Sequence, residues 1–234
     1  MEHAGIDLKK EQQASLERPR YPYSMVARSF FLSMDLFTGR RTTLGKAKLI
    51  EMLAGVPYRA WENRQYVKMT RHYRDEGLVH DARELVGWAR EARSNEYWHL
   101  LVIAEKMRED GARDPWYLTR PIPQLMVAGY AVMEWALALA DIRRAFLFNA
   151  EFEDHAEHTY AQLVRDHPEW ERQPATGELV KSRGGADTWA DVFRRIGLDE
   201  RDHMNNSFRF GGMPERVVEY EGMPVAAGPG SQAT

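Results

Sequence analysis

Two stretches of this sequence put ionisable side chains where a helix's apolar stripe should continue, which limits what the chain can fold into. In 79–108, Leu85, Trp88, Ala92, Glu96, His99 and Ile103 follow one helical face. In 187–208, Trp189, Val192, Ile196, Glu200 and His203 do the same. Both stripes carry a Glu-x-x-His pair, whose members share a helix face. A buried, unpaired carboxylate is costly, and a bound cation removes that cost. The motif alone carries little weight. With 22 Glu and 8 His, chance gives roughly one such pair in a chain this long. The stripes are what point both pairs inward.

Two more acidic residues complete a pattern. Glu51 shares a face with Leu44, Ala47 and Ala54, and Glu153 shares one with Phe146, Tyr160 and Leu163. The order is then Glu, Glu-x-x-His, Glu, Glu-x-x-His on four helices, the arrangement of dimetal bundles. On spacing alone, Glu157 serves as well as Glu153. The chain has no cysteine, which excludes disulfides, thiolate metal sites and iron–sulfur clusters. Carboxylates and imidazoles suit iron, and also manganese.

The fold expected is all-α: a ferritin-like four-helix bundle with additional helices. Helices are predicted near 24–37, 44–75, 79–108, 121–142, 143–167 and 187–208, with Pro57 a candidate kink. Residues 1–20 read as a polar arm, 21–208 as the bundle domain, and 209–234 as a flexible tail rich in Gly and Pro. The segment 168–186 reads as a connection. A net charge of -3 gives no electrostatic footprint for nucleic acid. The first twenty residues lack the apolar run of a signal peptide. The apolar stretch Leu125–Ala140 is interrupted by Glu134 and reads as a buried core helix rather than a membrane span. A helix lying on a membrane surface is the alternative. The expected location is the cytoplasmic side, either soluble or peripheral to a membrane.

Four segments around the candidate ligands resemble the alternative oxidase family, including its plastid terminal oxidase branch. They are Leu49-Ile50-Glu51-Met52-Leu53-Ala54-Gly55-Val56-Pro57, Asn95-Glu96-Tyr97-Trp98-His99-Leu100-Leu101, Glu153-Asp154-His155-Ala156-Glu157-His158-Thr159-Tyr160, and Asp191 to His203. Phe30-Phe31 with Asp35-Leu36-Phe37 resembles the family's first interfacial helix. The likeness covers roughly 25–208. It implies a quinol oxidase that reduces oxygen to water at two irons held by Glu51, Glu96, His99, Glu153, Glu200 and His203. It also implies that Asn95 and Asp199 hydrogen-bond the ligands, that Tyr160 is a redox-active tyrosine, and that Lys46, Ile50 and Thr159 lie near the quinone. Peripheral membrane association and a homodimer are implied as well.

The departures fall on the substrate side. Lys46 replaces an arginine and so loses the planar fork, Ile50 replaces a leucine, and His155 replaces a carboxylate. After Pro57 the chain reads Arg59, Glu62, Asn63, Arg64, Gln65, Lys68, Arg71 and Arg74, a poor lipid-facing surface. These differences suit a soluble di-iron oxygenase or desaturase acting on a small molecule. An iron-storage protein and a metal-free helical interaction module are further alternatives.

Overall fold

The structure is a computed structural model that describes residues 5–183 and 185–223. The described chain is all-helical and holds eight α-helices: α1 (Leu8–Glu17), α2 (Met25–Thr38), α3 (Leu44–Arg71), α4 (Glu76–Glu109), α5 (Ile122–Ala140), α6 (Ile142–Asp166), α7 (Glu178–Lys181) and α8 (Trp189–Phe210). No strand forms among the described residues.

The helix starts follow from capping chemistry. Ser24, Thr43, Asp75, Asp141 and Thr188 each accept a backbone N–H from the first turn of the helix they open, satisfying one of its orphan donors. Gly39, at φ 80°, ends α2 in the left-handed region. α3 runs through Pro57 without a break.

Four long helices form the bundle. α3 packs chiefly on α4, and α6 chiefly on α8. The segment 168–186 is a connection built around a 3-10 turn at Pro168–Glu171 and the short α7.

Three regions differ from the sequence expectation. Inside the polar arm, residues 8–17 form α1, which packs on α6 and α8. Its buried groups are polar: Arg201 reaches Glu11 at 2.5 Å, and Ser15 donates to Glu157 at 2.7 Å. No apolar stripe announces such a helix, because its attachment is ionic. The start of the expected tail is also ordered, with Asn205 and the backbone of Val218 exchanging hydrogen bonds. Residues 224–234 lie outside the described chain.

The third difference is α5, which is not a buried core helix. Only Tyr130 and Glu134 of its residues are buried. Leu125, Val132, Trp135 and Leu139 are each more than 60% exposed. By length and composition alone it could cross a bilayer, the one such helix among the described residues. α5 meets α2 where Tyr130 packs on Phe30, and α2 likewise exposes Met25, Leu32 and Leu36. Apolar composition could not tell a core helix from a surface one. The bundle's apolar faces are already paired with one another, so α5 covers only one side of itself.

Candidate metal centre

Each bundle helix delivers its acidic residue to the same point. Glu51 comes from α3, Glu96 and His99 from α4, Glu153 from α6, and Glu200 and His203 from α8. All six are at most 3% exposed. They form two overlapping groups of ligand atoms, each within 4.8 Å: Glu51, Glu96, His99 and Glu200, and Glu96, Glu153, Glu200 and His203. Glu96 and Glu200 belong to both. Each group could hold a cation, and Glu96 and Glu200 offer oxygens to both.

Most of these atoms lie close together without aligned hydrogen bonds; His99 Nδ1 and Glu51 are the exception. His203 Nδ1 lies 2.7 Å from Glu96 Oε1, yet neither atom has a hydrogen-bond partner in the required alignment. Both oxygens of Glu96 and of Glu200, and Oε2 of Glu153, are likewise unpartnered. Buried polar atoms are rarely left so. His99 shows the expected polarity: Nδ1 faces Glu51 at 3.2 Å and Glu200 at 3.0 Å, while Nε2 faces Asp199 at 3.1 Å. A carboxylate behind an imidazole fixes ring orientation and raises basicity. The donor set is oxygen-rich with two imidazoles and fits hard or borderline cations such as iron or manganese.

The electrostatics agree. Burial pushes the Glu51 and Glu153 carboxyls well above the usual range, and neighbouring carboxylates add to it. Burial acts on Glu96 in the same sense, but His203 and His99 outweigh it and hold that carboxyl at about 2. Burial opposes the charge on both imidazoles. Facing carboxylates reverse this, led by Glu51 for His99 and by Glu96 for His203, and raise both well above the ordinary value. Protons here do the neutralising that cations would do.

Glu157, which spacing alone left level with Glu153, is spoken for elsewhere. Arg18 and Arg201 bind its carboxylate at 2.6 and 2.9 Å. Burial resists its charge, but Arg201 and Arg18 lower its pKa overall.

Tyr160 donates its hydroxyl to Glu51. Asn95 is buried beside the centre, but its side-chain oxygen accepts from Arg183 rather than meeting a ligand. Lys46 is buried and ion-paired with Asp35, and also donates to the Gly39 carbonyl. Ile50 and Thr159 are buried, and the Thr159 hydroxyl donates back to the His155 carbonyl. The His155 ring stacks on Phe31 at 4.2 Å. Burial and then the Arg20 and Lys46 charges lower its pKa to about 3, so it stays neutral.

Three residues at the centre are not among those the sequence singles out. Tyr58 donates to Glu153 at 2.7 Å, and Asn149 donates to both of them and to Ser207. For Tyr58 a signal exists. It follows Glu51 by the same two helical turns that separate Tyr160 from Glu153. No family model matches this sequence, and no curated protein matches it either.

Proposed function

We propose that the protein is a di-iron quinol oxidase that reduces oxygen to water. The observation carrying this reading is the pair of overlapping ligand groups sharing Glu96 and Glu200, with a tyrosine hydroxyl held against Glu51. Two ferrous ions held by Glu51, Glu96, His99, Glu153, Glu200 and His203 would supply oxygen binding and electron transfer. The chain's own contribution is positioning. Asp199 orients His99, Glu96 and Glu200 are offered to both sites, and the aromatic and aliphatic shell excludes bulk water. Tyr160 holds a proton and an electron at its hydroxyl oxygen, next to Glu51.

A quinol is a lipid-soluble donor, and the exposed apolar faces of α2 and α5 suit a helix pair resting on a membrane surface. On this reading the quinol head group docks near Lys46, Ile50 and Thr159. Lys46, tied to Asp35, contributes a fixed positive charge there rather than a free hydrogen-bonding fork. Neutral His155, stacked on Phe31, offers a flat ring wall there.

The test combines metal content with oxygen uptake. Iron-loaded protein should consume oxygen with a short-chain quinol, and Glu200→Ala should abolish it. Two irons per chain with no uptake for any of several quinols would sink the proposal. A second reading, a di-iron oxygenase acting on a soluble small molecule, is favoured by the exposed Arg59, Asn63, Arg64 and Lys68 along α3. Oxygen uptake tied to a hydroxylated or desaturated product, without liposome binding, would select it.

A further inference from the structure

We infer that Tyr58 is a second redox tyrosine of this centre, the counterpart of Tyr160, so that the chain itself supplies two of the four electrons oxygen requires. This rests on the di-iron reading above. The geometry is a crosswise pair. Tyr160, on α6, donates to Glu51 of α3, and Tyr58, on α3, donates to Glu153 of α6 at 2.7 Å. Each tyrosine lies seven residues after its own helix's ligand, about two turns on and on the same face. Both are fully buried.

A hydrogen bond that only steadied Glu153 would need nothing beyond the hydroxyl. Each tyrosine instead heads a run of aromatic rings leading outward. From Tyr160 the run passes Phe193 at 6.1 Å, Trp170 at 4.7 Å and the half-buried His167 at 4.3 Å. From Tyr58 it passes Trp88 at 5.3 Å and the half-buried Phe210 at 4.9 Å, with Trp61 stacked alongside. The oxidisable rings of these runs are the tryptophans: Trp88 lies directly against Tyr58, and Trp170 lies one ring beyond Phe193, the neighbour of Tyr160.

The electrons balance. Each tyrosine gives up one proton and one electron from its hydroxyl, breaking the O–H bond and becoming a neutral radical. Two irons held by Glu51, Glu96, His99, Glu153, Glu200 and His203 would supply the other two electrons. With two protons from solvent, one oxygen molecule becomes two water molecules. Two quinols, each losing two electrons and two protons, then restore both tyrosines and both ferrous ions and return the two solvent protons.

The test counts radicals rather than turnover. The full chain is loaded with two ferrous ions under anaerobic conditions, checked for iron content, given one pulse of oxygen without quinol, and frozen for electron paramagnetic resonance. The native protein should show two tyrosyl radicals per loaded centre. Tyr58→Phe and Tyr160→Phe should each show one, and the double variant none. Placing 3,5-difluorotyrosine at position 58 keeps the hydroxyl and should add fluorine splitting to one of the two signals, covering the case in which Tyr58→Phe does not fold. A single radical in the native protein, unchanged by Tyr58→Phe or by the fluorinated residue, overturns this inference and leaves the di-iron reading standing. Failure to bind two irons overturns that reading first, and this inference with it.

Discussion

Two regions of the molecule bury carboxyl groups, and they handle the cost differently. In the bundle core, four glutamates face two imidazoles, and charge is shared: Glu96 is held ionised while Glu51 and Glu153 are pushed towards the neutral form. In α5, Glu134 is alone. It is 2% exposed, with only the Tyr130 hydroxyl near it and no aligned hydrogen bond to either oxygen among the described residues. Burial raises its pKa to about 8, and Tyr130, one turn earlier, offsets only part of that. A carboxyl with convergent basic partners stays charged or shares a proton, and could hold a cation. One without them becomes a weak neutral acid that burdens the fold. Burial alone therefore does not mark a metal site; convergence of several donors does.

Removing a shared ligand should have the largest effect. Glu200→Ala takes one donor from each group at once, and on the di-iron reading both irons should be lost. Elemental analysis of the purified variant checks this, and retention of both irons would break the distinction between the two regions.

The lone acid should show up in stability. The folded pKa of Glu134 lies above its unfolded value, so its contribution is fully present below the unfolded pKa near 4.5 and is lost as pH rises through about 8. Glu134→Gln removes that slope. The variant should match the native protein near pH 4.5 and exceed it above pH 8 by a few kcal/mol, with iron content unchanged. Denaturant melts across that pH range measure it. An equal gain at both ends of the range would show that titration is not the cause.

The oriented imidazole comes next. Asp199→Asn leaves the six ligands in place but removes the carboxylate behind His99. Metal affinity should fall by about 10–100-fold, in one of the two sites first, as read by a chelator titration. The smallest effect concerns the outer face of α5. Leu139→Glu should weaken binding to liposomes by at least about tenfold, given about 1.5–3 kcal/mol for a buried leucine. Native protein that does not bind liposomes at all would turn the proposal towards the soluble oxygenase.

Much of this was legible in the sequence because it is local. The cap residues Thr43, Asp75 and Thr188 sit where helices begin, and the six candidate ligands sit on apolar stripes. What was not legible depends on partners distant in the chain. α1 looked like a polar arm because its buried residues are polar, and only Arg201 and Glu157, far along the sequence, make Glu11 and Ser15 core residues. Asn95 sits beside Glu96 in sequence, yet Arg183 takes its side-chain oxygen.

The sequence by itself determined the six longer helices, the inward faces of the four bundle helices and five of the six candidate ligands, because helical periodicity and capping are properties of neighbours. Only the tertiary structure decided that Glu153 rather than Glu157 faces the other ligands, since Arg18 and Arg201 neutralise Glu157 elsewhere. Packing also decided that Tyr58 and Tyr160 reach across to each other's glutamates and that α5 turns its apolar side outward. Which charge meets which, and which apolar face is left without a partner, is fixed only when distant segments come together.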